Sequence, residues 1–176
     1  MKKLLLVLLL SLPVFAGNLV LKEGFVAAHT EMMMDSTIDP LNHTLQADMS
    51  MTGDDLLSLK GKMWVEMALF SSDNADRDEH MHEAYEAKSF PLATYNVSSV
   101  TVDNEGVYTI HGSLDFHGVD KPFMATAEIK EANGEITLSA TSKILGSDFG
   151  IEMPCMVFMC VRDQIDIFAK AVFIKK

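Results

Sequence analysis

The chain has 176 residues and carries 14 Lys and Arg against 25 Asp and Glu, a formal net charge of −11. So acidic a surface repels phosphate backbones and anionic lipid head groups, which excludes nucleic acid as a partner and argues against electrostatic docking on a membrane. The length beyond a leader, about 160 residues, suits one domain with a sizeable core.

At the start, Lys2 and Lys3 form a short positive region and Leu4 to Leu12 an apolar run of nine residues. Val14-Phe15-Ala16 then ends in the small residue that a signal peptidase needs. Nine residues cannot span a bilayer as a helix. Residues 1–16 therefore read as a cleaved secretory signal and residues 17–176 as the mature domain. No cysteine follows the cleavage point to carry a lipid anchor, and no later apolar run reaches membrane-spanning length. The expectation is an exported, soluble protein without stable membrane insertion, periplasmic in a two-membrane bacterium. Losing Lys2 and Lys3 leaves 12 basic against 25 acidic side chains, a charge of −13.

Most of the remaining chain alternates with the period of two that marks strands. Residues 19–51 alternate least cleanly and read as two strands broken around Asp35 to Asn42. Met63, Val65, Met67 and Leu69 share an apolar face. Residues 74–87 read as the one helix, with Asp73 or Asn74 as N-cap and acids in its first turn. Tyr108, Ile110, Leu114 and Phe116 then alternate with polar residues, as do Phe123, Ala125, Ala127 and Ile129. Ile136, Leu138 and Ala140 follow, and finally Ile165, Ile167, Ala169, Ala171 and Phe173. Asp103 to Gly106 and Glu131 to Gly134 have the chemistry of hairpin turns, and His117 to Pro122 reads as a loop closed by proline. Seven or eight antiparallel strands with one short helix make an all-β domain, a closed barrel or a sandwich. Closure has the merit of removing edges that would aggregate.

The helix concentrates titratable groups: His80 and His82 stand among Asp73, Asp76, Asp78, Glu79, Glu83 and Glu86. On a helix the two histidines point about 200° apart, since each residue turns the axis by about 100°. The pairs that meet are Asp76 with His80 and Asp78 with His82, short of the three or four ligands of a zinc site. A solvated helix face is the favoured reading. The second cluster is MPCMVFMC at 153–160. Met153, Cys155, Met156, Met159 and Cys160 are soft ligands of the kind Cu(I) selects, and the Met32-Met33-Met34 run with His29 is a further potential source. A Cys155–Cys160 disulfide, allowed in an oxidising compartment, and two free thiols are the competing readings. Catalysis finds no motif: there is no Gly-x-Ser-x-Gly elbow, no His-Glu-x-x-His and no phosphate-binding glycine loop. A binding protein without chemistry or cofactor is expected.

Four stretches carry a resemblance. NADRDEHM followed by FPLATY, then GSLDFHGVDKPF, SDFGI and VRDQIDI, occur in the order of motifs typical of the YceI-like family, across about residues 62–175. The resemblance implies a lipocalin-like, eight-stranded antiparallel barrel with a crossover helix near one end. It also implies a long isoprenoid or related amphiphile, such as a quinone or fatty amide, in the lumen. Arg77, Asp78 and His80 would brace the helix against the barrel, and a homodimer would be unsurprising. The chain departs from the family pattern over residues 18–60, at Met81 and Tyr85, and in its cysteine-containing loop.

An eight-stranded barrel can be filled by side chains or can hold one small ligand. Ala125, Ala127, Ala140, Ala169, Ala171 and Gly112 are small inward candidates that would leave a tunnel. Met63, Met67, Tyr95, Phe116 and Phe123 would line it. The lumen set is completed by Val65, Leu69, Phe90, Val97, Ile110 and Leu114, with Ile129, Leu138, Phe149, Ile165 and Ile167 from later in the chain. Filled-core packing has the same signature. Arg77, Lys88 and Lys121 are candidate head-group contacts from their motif positions, and so few cations favour a neutral quinone or amide over a pyrophosphate. The leading reading is an exported carrier, buffer or sensor of an isoprenoid or fatty amphiphile. The alternative is a copper-binding or redox protein working through Cys155, Met156, Met159 and Cys160.

Overall fold

A computed structural model describes residues 16–32, 36–156 and 159–175. The expected leader up to residue 15 and the Met33 and Met34 of the methionine run lie outside the described residues. The strands are β1 (Ala16–Met32), β2 (Ser36–Ile38), β3 (Leu41–Asn42), β4 (Gln46–Thr52), β5 (Asp55–Glu66), β6 (Leu92–Val102), β7 (Tyr108–Phe116), β8 (Val119–Ala132), β9 (Glu135–Leu145), β10 (Cys155–Met156), β11 (Met159–Cys160) and β12 (Gln164–Lys175). Among the described residues there is one α-helix, α1 (Ala75–Ala84), between β5 and β6.

Eight of these strands close a barrel in the order β1-β4-β5-β6-β7-β8-β9-β12, with β12 returning to β1. All the pairings are antiparallel. The fold expected from the family motifs is thus the fold observed. β1 alternates poorly because its surroundings change along its length. It bulges between Leu21 and Glu23, pairs with β12 from Leu19 to His29, and meets β4, β3 and β2 in turn on its other side.

Local chemistry sets the turns. Asp103 Oδ1 accepts from the backbone N–H groups of Glu105 and Val107, both at 2.9 Å. At β7–β8 the two-residue turn His117-Gly118 has φ of 52° and 71°, a hairpin geometry with both central residues left-handed. The loop expected over His117 to Pro122 is therefore only this turn, and β8 begins at Val119 with Pro122 inside it. At Gly112 a Cβ would run into the Asn96 carbonyl across the ladder and lie 2.9 Å from the Tyr95 ring, so the glycine lets β6 and β7 approach rather than widening the lumen.

The interior has two halves. Away from α1, Met49, Met51, Leu59, Val100, Ile136 and Phe173 are buried as a solid plug. Toward α1 the packing opens into a cavity.

Candidate functional site: an apolar cavity under the helix

Helix α1 caps the open half. Asn74 accepts from Arg77 N–H at 3.0 Å as the N-cap. Asp78 reaches back to the segment that precedes the helix, where both carboxylate oxygens accept from Ser72 N–H at 2.9 Å and Oδ1 from Ser72 Oγ at 2.6 Å. The His82 ring lies against the Phe70 carbonyl, with Nε2 2.8 Å from the oxygen. Asp78 and His82 thus anchor the helix. The expected bracing residue His80 does not, because at its position on the helix it faces solvent. Arg77 reaches the Thr37 carbonyl at 3.3 Å and Asp73 at 3.8 Å on the outer surface. No three His, Cys, Asp or Glu side chains come together to hold a metal ion among the described residues.

Under the helix lies a cavity of about 150 Å³ with an almost wholly apolar lining. Met63, Val65, Met67, Tyr95, Ile110, Leu114 and Phe116 line it, as do Phe123, Ala125, Leu138, Ile165, Ile167 and Ala169. The alternation read along β5, β7, β8, β9 and β12 supplies most of these. Ala140 and Ala171 are present too, and their small side chains help leave the space. Tyr95 sits edge-on to Phe123 at 5.0 Å between ring centroids and donates to the Ile110 carbonyl at 2.8 Å. Burial raises its phenol above the ordinary value and pushes that of Tyr85 up to about 12, so both rings face the cavity as neutral groups.

Five lumen candidates lie elsewhere. β5 ends at Glu66 and a single 3-10 turn follows, which carries Leu69 out to 44% exposure while Phe70 takes the interior place. Phe90 covers the β7–β8 turn, 4.3 Å from the His117 ring and packed on Gly118. Val97 and Ile129 are buried in the hydrophobic core away from the cavity wall. Phe149 is buried behind Phe116, at 5.4 Å between rings, and does not reach the space. The head-group candidates are displaced as well. Arg77 is tied to the surface, Lys88 is exposed, and Lys121 pairs with Asp148 at 2.8 Å. None of the three touches the cavity.

The lining also includes residues that strand alternation does not point to. Met81 and Tyr85 project from the helix, and Tyr85 meets Phe116 edge-on at 5.8 Å. Their signal was an apolar pair four residues apart on an otherwise polar helix. Val26, Ala28, Pro40 and Leu45 come from the irregular first part of the chain, where periodicity is weakest.

Cys155 and Cys160 face one another on the β10–β11 hairpin and are joined by a disulfide. With both sulfurs bonded, neither is a thiolate for a metal. The side chains of Met156 and Met159 lie outside what is described.

A YceI-like domain model matches residues 20–173. A UPF0312 protein of Vibrio campbellii is 27% identical over 95 residues, 53% of this chain and 50% of that protein. This chain therefore spans about half the length of that curated relative. Among solved structures, Burkholderia cenocepacia BcnA superposes with a TM-score of 0.75 at 16% identity, over 85% of this chain and 95% of its own. A polyisoprenoid binding domain from Saccharophagus degradans, implicated in plant cell wall breakdown, gives 0.71 at 11% identity, over 92% and 100%. These likenesses establish the barrel, and the domain match, which runs from β1 into β12, establishes the lineage: the chain belongs to the YceI-like family.

Proposed function

We propose that this protein is an exported, non-enzymatic binding protein that shelters the tail of an isoprenoid, quinone or fatty-chain amphiphile in its barrel, as a carrier, buffer or sensor. The observation that carries this is the cavity: an almost wholly apolar space inside the barrel, under the helix. The name of the Saccharophagus degradans domain, which shares the fold, supports an isoprenoid tail. Export rests on the leader pattern, whose cleavage point after Ala16 falls where β1 begins.

The resting space sets the energetics. A cavity near 150 Å³ takes a group about the size of benzene. That corresponds to one prenyl unit or a short alkyl segment, worth about 0.8 kcal/mol per buried methylene before association costs. A longer tail needs the wall to give, and Met63, Met67 and Met81 are the unbranched, adaptable side chains that can swing aside.

Native mass spectrometry of protein recovered from its own periplasm tests the reading. The expected result is an adduct of lipid mass that organic extraction removes, and the same spectrum reads whether the chain pairs. Protein that carries no adduct and takes up no prenyl or alkyl amphiphile on titration overturns the reading.

A further inference from the structure

The barrel wall has a gap. β8 and β9 share a ladder from Ala132–Glu135 only as far as Thr126–Thr141. Beyond that pair, Val119–Ala125 are laddered to β7 alone and Ser142–Leu145 to β12 alone. Of the other seams near this end, β9–β12 is paired to Leu145–Gln164 and β5–β6 to Glu66–Leu92, while the β1–β4 ladder stops at Leu19–Met49 and β1 is covered beyond it by β3 at Val26–Asn42 and Ala27–Leu41. Across the gap one side chain stands in for the ladder: Ser142 Oγ donates to the Met124 carbonyl at 2.6 Å. Pro122, which has no N–H to give, lies on this unpaired run, as a proline within a strand requires.

The inner cavity and a depression of about 700 Å³ on the outside meet at this wall, where Ala125, Thr141 and Ser142 at the gap line both, as do Ala28 and Ile167 on the paired β1–β12 seam. The hydroxyls of Thr109, Thr126, Thr141 and Ser142 border that depression. Its cations are already matched: His29 stands 2.5 Å from Asp39, and Lys143 is 3.9 Å from Asp166. A polyphosphate would find no surplus positive charge here, whereas a carbonyl would find hydroxyl and ammonium donors.

We propose that the β8–β9 gap is the door through which the tail enters sideways, and that the depression outside it seats an uncharged, carbonyl-bearing head group. This rests on the tail-binding reading above and adds to it a route and a head-group class. Ser142 acts as the latch, a positioning residue that the tail displaces.

Trp64, the single tryptophan, lines the cavity and reports arrival of a quinone by fluorescence quenching. The probes are a benzoquinone bearing a ten-carbon tail and the same tail on a phosphate, the latter followed by its competition with the quinone. The variants are Ala125→Cys with Ser142→Cys, oxidised to staple the gap, and Ser142→Ala, which removes the latch. Extracted wild-type protein is expected to bind the quinone at least tenfold tighter than the phosphate. The staple is expected to slow association more than tenfold, with recovery on reduction. Wild-type protein in the same reductant controls for opening of Cys155–Cys160. Ser142→Ala is expected to associate several-fold faster, and it decides the matter if the stapled protein does not fold. Unchanged association rates in the folded variants place the entrance elsewhere and overturn the door. Equal affinity for the two probes overturns the head-group class. Wild-type protein that binds neither probe removes the tail-binding reading and this proposal with it, a result distinct from the other two.

Discussion

Asp78 and His80 are two residues apart on one helix and do opposite things. Asp78 reaches back to Ser72 and accepts from its N–H, shared between both carboxylate oxygens, and from its Oγ, while His80 faces water. Removing a carboxylate that satisfies donors in this way costs about 1.5–3 kcal/mol. Asp78→Ala should show that loss in urea denaturation, whereas His80→Ala should stay within about 0.5 kcal/mol of the parent. An equal loss in both would mean the helix is not held by the Asp78 clasp. His29 offers a pH test. Its hydrogen bond to Asp39 at 2.5 Å, aided by Glu31, raises its pKa above the ordinary 6.5 despite some desolvation. A raised folded-state pKa stabilises fully below the unfolded value and is lost as pH climbs through the folded one. Destabilisation by His29→Ala should therefore be largest below pH 6.5 and fade at higher pH. A gap between variant and parent that is flat with pH, or grows as pH rises, would rule this out.

The β10–β11 hairpin carries the Cys155–Cys160 disulfide that an oxidising compartment allows. Its disulfide closes a loop with a sequence separation of only 5, so chain-entropy arguments allow about 2 kcal/mol at most. It also lies off the cavity wall, since neither Cys155 nor Cys160 lines that space. The double variant Cys155→Ser, Cys160→Ser should lose up to about 2 kcal/mol in denaturant titration and still bind the tailed quinone with unchanged affinity. A loss of affinity would bring the hairpin into the site. The strand β5 teaches a related lesson. Its alternation reads smoothly from Met63 to Leu69, yet the strand stops at Glu66 and the next turn reverses which residues face inward. Nothing local to Leu69 announces this, because an apolar residue after a strand fits either a fourth rung or the start of a turn.

At the scale of the whole molecule, the two halves of the barrel interior should answer mutation differently. In the plug, Ile136 has no exposed surface and its neighbours close around it. Ile136→Ala should cost about 2–5 kcal/mol. In the open half, Ala140 borders empty space, so Ala140→Phe has volume to occupy. That variant should keep or gain thermal stability while binding of the tailed quinone falls more than tenfold. Should Ala140→Phe unfold the protein as readily as Ile136→Ala, the cavity would not be the space it is taken to be.

Much of this was legible in the chain. Alternation along β7, β8, β9 and β12 named Ile110, Leu114, Phe116, Phe123, Ala125, Leu138, Ile165, Ile167 and Ala169 as inward, and each of them lines the cavity. That works because side-chain direction in a strand is a local property with a period of two. The motifs also identified the helix and the closed barrel. What sequence alone left open is where the interior is solid and where it is hollow, since Ala125 and Ala127 read alike and only the first borders space. It likewise left open that Met81 and Tyr85 complete the wall and that β8 and β9 part beyond Thr126–Thr141. Cavities, lids and gaps depend on which distant segments end up side by side, and a pattern along one segment carries no record of its neighbours.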